Sequence, residues 1–191
     1  MRLMHEDDFI ERINAGDSRA FKQLFDANVS LVYNVCLRML NNRQDAEDVT
    51  QEVFFEAYKA IKQFRFESKL STWLYRIAVN RSLNHRRSKK LQRWLALDFD
   101  AHEETVVNYS GSKEDGADVA MEKKDAERIV LDAINSLPDQ QRIAILLHRY
   151  EELSYEEIAK IMGGTVASVE SRLHRAKQTL AKKLLPLRKE L

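Results

Sequence analysis

Through most of this chain apolar residues return every three or four positions, and little interrupts them. Phe21, Leu24, Phe25, Val32, Val35, Cys36 and Met39 keep that rhythm in one stretch. Val49, Val53, Phe54, Ala57, Ile61 and Phe64 keep it in the next. A period near 3.6 builds the buried stripe of a helix, whereas a half-buried strand alternates every second residue. Only five Gly and two Pro punctuate 191 residues, so few positions force a helix to stop. The expected fold class is all-α.

The punctuation divides the helices. Phe9 and Ile13 form a short apolar face that ends near Gly16, and Asp17 or Ser18 is placed to cap the next helix. The pair Asn41-Asn42 separates the second helix from the third. Ser68 is a candidate cap for a long helix expected to run to about Lys90, with Leu70, Trp73, Leu74, Ile77 and Ala78 as its apolar stripe. After a stretch with little apolar periodicity, the helical pattern returns near Asp125. Pro138 suits the first turn of a helix carrying Ile143, Ile145, Leu146 and Leu147.

Composition excludes several classes. An apolar share of 44% is enough for packed cores. The lone Cys36 rules out a disulfide within the chain, and its place on an apolar face points to packing rather than reactivity. No apolar run approaches the ~20 residues of a membrane helix, so no membrane insertion is expected. The segment MRLMHEDDF lacks the apolar stretch of a secretory signal, and the expected location is cytoplasmic.

The net charge of +1 conceals blocks. Arg76 to Arg93 holds seven Lys/Arg and no acid; Thr165 to Leu191 holds seven against two Glu. Between them, Asp98 to Glu127 holds ten acids against three Lys. Two basic segments flanking an acidic connector suit two contacts with a polyanion, although charge runs are also found on merely solvated faces. On the long helix Arg76, Asn80, Asn84 and Arg87 fall at steps of three and four, following Thr72, as a row of polar donors. On the helix before it, Asp45, Asp48, Glu52 and Glu56 form an acidic stripe, with Gln51 beside it, suited to a basic partner.

Residues 154–180 carry the strongest motif. Ser154 and Glu157 make a capping box; Ile158, Ala159, Ile161 and Met162 face inward; Gly163-Gly164 supplies a tight turn. Thr165 caps a second helix that Val166, Val169, Leu173 and Ala176 hold against the first. Ser168, Glu170, Ser171, Arg172, His174, Arg175 and Lys177 point outward. This pattern is a helix-turn-helix whose second helix suits the major groove. His174 has no companion at metal-ligand spacing, and no metal or cofactor is expected. P-loop, HExxH and nucleophile-elbow patterns are absent, so the chain is not expected to be an enzyme.

Two stretches, DAEDVTQEVFFEAYKAIKQFRFESKLSTWLYRIAVNRSLNHRR and SLPDQQRIAILLHRYEELSYEEIAKIMGGTVASVESRLHRAK, resemble the two helical domains of bacterial RNA polymerase sigma factors of the extracytoplasmic-function (ECF) subfamily. The resemblance implies a subunit that binds core RNA polymerase and directs promoter recognition, strand opening and initiation. It implies an N-terminal domain over 1–93, an acidic linker over 94–122, and a C-terminal helix-turn-helix domain over 123–191. Asp45, Asp48, Gln51, Glu52 and Glu56 match the polymerase-binding helix. Phe64, Arg65, Phe66, Ser68 and Lys69, with Glu67, match the loop that captures a flipped base of the minus-ten element. Arg76, Asn80, Asn84 and Arg87 match its duplex-facing side. Thr165, Ser168, Glu170, Ser171, Arg172, His174, Arg175 and Lys177 fall on the minus-thirty-five helix. Phe66-Glu67 stands where many members carry Gly-Asp, and Glu170 where many carry Arg or Lys. The family also implies an anti-sigma partner. A conventional helix-turn-helix regulator is the competing reading; it places a ligand-sensing domain in residues 1–92.

Overall fold

The structure, a computed structural model, describes residues 6–64, 68–99 and 128–186, with the side chains of 6–9 and 97–99 left out. Every regular element among them is helical. The chain runs through α1 (Glu6–Asn14), α2 (Ser18–Leu40), α3 (Arg43–Ala60), a 3₁₀ turn (Ile61–Gln63) and α4 (Leu70–Phe99). It resumes with α5, described over 128–135, then α6 (Asp139–Tyr150), α7 (Tyr155–Met162) and α8 (Val166–Leu184).

Local chemistry sets the breaks. Asp17 caps α2, its carboxylate accepting from the backbone N–H of Arg19 at 2.9 Å and of Ala20 at 3.3 Å. The same carboxylate takes Arg12 of α1 at 2.8 Å, which ties the short first helix to the second. Asn41 ends α2 in the left-handed region (φ 53°), where Asn is among the better tolerated residues. Asn42 then caps α3 by accepting from the N–H of Asp45 at 2.9 Å. A helix end and a helix start within two residues make α2 and α3 a tight hairpin.

Helices α2, α3 and α4 pack on one another to form the first unit, with α1 laid against α2. Leu24, Val32, Met39, Val49, Val53, Ala57, Leu74 and Ala78 fill its interior. Cys36 is buried there, and burial pushes its thiol pKa up, as packing requires and reactivity does not. Helices α6, α7 and α8 form the second unit around Ile143, Leu147, Ile158, Ile161, Val169 and Leu173. Contacts also cross between the units, α4 to α7 and α2 to α6.

Three local expectations change. Helix α4 does not stop near Lys90 but reaches Phe99, past the boundary expected at residue 93. The segment Leu91–Phe99 holds no Gly, Pro or β-branched residue, so nothing in it ends a helix. Pro138 is the residue capping α6 rather than its first helical position. Val166 is exposed instead of holding α8 against α7.

The α7–α8 turn depends on one backbone angle. Gly163 sits at φ +64°, and the N–H of Gly164 donates to the carbonyl of Ala159 at 2.9 Å, closing the end of α7. Gly163→Ala should cost about 1 kcal/mol, because a Cβ disfavours the left-handed region. Thermal unfolding should show a midpoint several degrees lower, and an unchanged midpoint would remove this angle from the account.

Candidate nucleic-acid and protein-docking surfaces

Helix α4 buries Leu74, Tyr75, Ile77 and Ala78 and thereby turns its polar row outward. Arg76, Asn80, Asn84 and Arg87 are all exposed along one side. At ~1.5 Å per residue the row extends about 16 Å, the length of about five stacked base pairs. Thr72, which continues the row in sequence, is buried. The intervening basic residues have other work. Arg86 donates to the carbonyl of Met39 at 3.0 Å, closing the last turn of α2, and burial pulls its pKa down.

The loop before α4 is described only at its ends. Arg65, Phe66 and Glu67 lie outside the described residues. Phe64 is half-buried, its ring 5.3 Å from that of Trp73, so both aromatics close the core edge at this point. Ser68 is half-buried, and the Lys69 ammonium donates to Glu157 of α7 at 2.9 Å.

The acidic stripe of α3 divides into spent and exposed members. Lys89 donates to both oxygens of Asp45, at 2.6 and 2.5 Å, and His85 Nε2 stands 3.2 Å from the same carboxylate. Arg81 donates to Glu56 and lies 3.9 Å from Glu52. Asp45 and Glu56 therefore staple α3 to α4. Asp48, Gln51 and Glu52 stay exposed, Asp48 accepting from Gln44 on its own helix at 3.3 Å. Beside them stand two residues the stripe did not include: Phe55, 62% exposed, and Tyr58, 56% exposed, with Lys59 3.9 Å above the Phe55 ring. Their signal was present in the sequence as aromatics off the inward period of α3.

In the second unit the helix-turn-helix is capped at both starts. Ser154 and Glu157 form one capping box. Thr165 and Ser168 form another, Ser168 Oγ accepting from the Thr165 N–H at 3.2 Å. Ser168 is thus committed to the cap. Arg172 is half-buried, folded back with Nη1 3.9 Å from the Met162 sulfur. Glu170, Ser171, His174, Arg175 and Lys177 are exposed on the outer face, joined by Gln178, which bonds His174 at 2.9 Å. Thr165 is exposed at the helix start. Beneath, Arg142 is fully buried and held by Asp139 at 2.7 Å. Burial lowers its pKa to about 10, so it stays charged at neutral pH.

Burial works to raise the Asp45 pKa, but Lys89 and His85 outweigh it and hold the carboxyl below its ordinary range. A depressed folded pKa contributes stability fully above the unfolded value, near ~4, and loses it as pH falls through the folded value. Asp45→Asn should therefore flatten the loss of stability on acidification below about pH 5, read from urea midpoints across pH. An identical slope in both proteins would mean the staple is energetically silent.

Among the described residues no helix is long and apolar enough to cross a membrane. Residues 24–92 match the family model described as sigma-70 region 2, and residues 127–180 match that of sigma-70 region 4. The RNA polymerase sigma-H factor of Pseudomonas aeruginosa is 35% identical over 194 residues, covering 98% of this chain and 99% of the relative. The ECF RNA polymerase sigma factor SigW of Bacillus subtilis is 36% identical over 180 residues, covering 93% and 96%. Among solved structures, the sigma factor RpoE of Bartonella quintana, in complex with the anti-sigma factor NepR, superposes with a TM-score of 0.64. At 24% identity over 86% of this chain and 96% of that one, it shares the arrangement of helices.

Proposed function

The chain belongs to the extracytoplasmic-function sigma factors, and from that premise we propose how its surfaces divide the work of promoter recognition. The α3 face of Asp48, Gln51, Glu52, Phe55 and Tyr58 docks on core RNA polymerase. Exposed carboxylates around two exposed aromatics suit a basic partner with apolar positions. Helix α4 reads the minus-ten element and α8 the minus-thirty-five element. The observation that carries this reading is the exposed α4 row Arg76, Asn80, Asn84 and Arg87. Asn pairs with adenine edges, and Arg grips guanine or phosphate.

Phe64, Arg65, Phe66, Ser68 and Lys69 stay assigned to capture of an unstacked base beside that row. Stacking on such groups is worth ~1–3 kcal/mol per base, comparable to the ~1.4 kcal/mol of a DNA stacking step. Binding energy alone can therefore drive opening, and RNA synthesis belongs to the polymerase; no catalytic step falls to this chain. On α8, Thr165, Glu170, Ser171, His174, Arg175 and Lys177 meet the duplex. Ser168 and Arg172 act by shaping the start of the helix, in keeping with their bonds to Thr165 and Met162. The site of action is the cytoplasm, where the polymerase works. An anti-sigma factor is the expected inhibitory partner, as the Bartonella quintana relative has one.

Run-off transcription with core polymerase and a genomic promoter library tests the whole. Wild-type protein should select a defined promoter set. The double variant Asp48→Lys, Glu52→Lys should lose co-purification with core, and Asn80→Ala should keep it while losing most transcript. Selection of no promoter rejects the reading. Separately, Arg175→Ala should lower the salt slope of minus-thirty-five binding by about one counterion. An unchanged slope removes Arg175 from the phosphate contacts.

A further inference from the structure

The exposed row of α4 does not end at Arg87. Continued at the same steps of four and three, it reaches Leu91 and then Trp94. Seven residues make about two turns less 20°, so Trp94 stands on the same side of the helix as Arg87, with Leu91 between them. Leu91 is 56% exposed and Trp94 60% exposed. Leu95, the helical neighbour of Leu91 four positions on, is 44% exposed. The face that presents Arg76, Asn80, Asn84 and Arg87 thus turns apolar toward its far end.

These apolar side chains do not hold the helix to a core. None of residues 87–96 is buried, whereas Leu74 and Ala78 earlier in α4 are fully buried. An exposed Leu by itself is ordinary surface. A Trp with two Leu as neighbours, on a segment with no core beneath it, stays hydrated at a cost until something covers it. The charges around the patch select the cover. Arg87, Lys90 and Arg93 are exposed beside it, and the sequence holds no acid between Glu67 and Asp98. Duplex DNA answers both features: phosphates for the cations, and in the major groove the C5-methyl groups of thymine for the apolar side chains.

The loop assigned to an unstacked base precedes the row, so the far end of α4 lies over DNA that is still paired. At ~1.5 Å per residue Trp94 stands about 10 Å past Arg87, some three base steps further along. We propose that Leu91 and Trp94 read thymine methyl groups in the major groove just upstream of the minus-ten element, while Arg87, Lys90 and Arg93 hold the flanking phosphates. The inference rests on the function proposed above, because it extends a row already assigned to DNA. The contact lengthens the recognised stretch by about three base pairs on the minus-thirty-five side. It separates thymine from cytosine, which has no C5-methyl. The reading groups are uncharged, so their removal changes sequence preference without changing the salt slope of binding.

The test uses full-length protein assembled with core polymerase, and a promoter from the run-off experiment randomised over the base pairs just upstream of its minus-ten element. Wild type should enrich thymine at fixed positions there. The double variant Leu91→Ala, Trp94→Ala should lose that enrichment, yet co-purify with core and prefer the same minus-ten bases. Its thermal unfolding midpoint should stay near that of wild type, since neither side chain is buried. The decisive probe is uracil, which differs from thymine only in lacking the C5-methyl. Uracil at the enriched positions should weaken wild-type binding about fourfold per methyl, and leave binding of the double variant unchanged, at an equal salt slope in both proteins. Wild-type indifference to the upstream stretch, or uracil bound as tightly as thymine, overturns the contact. So does loss of core binding by the double variant, which gives the patch to the polymerase, and so does self-association that the variant abolishes, which gives it to a second copy. A protein that selects no promoter rejects the proposed function as well; one that selects promoters but ignores the upstream stretch loses this contact alone.

Discussion

A helix can bury only one stripe, and α4 commits that stripe to the core of the first unit. Leu74 and Ala78 are fully buried against α2 and α3, so the rotation of the helix about its axis is settled. Each residue advances 100°, which carries Arg76 and Asn80 about 200° away from that stripe and into solvent. The polar row, the loop at its start and the staples to α3 all follow from this orientation. Turning α4 by a quarter would bury arginines and expose leucines, and both changes are unfavourable.

The same orientation explains why the acidic face of α3 divides as it does. Lys89, His85 and Arg81 leave α4 on the side toward α3, where they meet Asp45 and Glu56. Paired carboxylates fasten α4 to α3; Asp48 and Glu52, with Phe55 and Tyr58, remain exposed. The two roles therefore fall on different residues of one stripe.

In the second unit the bonds that shape the start of α8 are short in sequence. Capping boxes at Ser154 and Thr165 and the left-handed Gly163 lie within a dozen residues and make the helix-turn-helix a stiff piece. Its bonds to the first unit are of another kind, joining residues far apart in sequence.

Helix content, the breaks at Gly16, Asn41-Asn42 and Gly163, the paired caps, and the outward row of α4 were all legible from residue order, because each depends on neighbours three or four positions away. The family followed from the same local motifs. The fate of individual charges did not. Glu56 meets Arg81 across 25 positions, Asp45 meets Lys89 across 44, Lys69 meets Glu157 across 88, and Arg38 meets Glu151 across 113. Periodicity tells which side of a helix a carboxylate occupies but not what another helix sets opposite it. That pairing exists only once the helices have packed, so only the folded chain separates the charges it keeps for itself from those it leaves exposed.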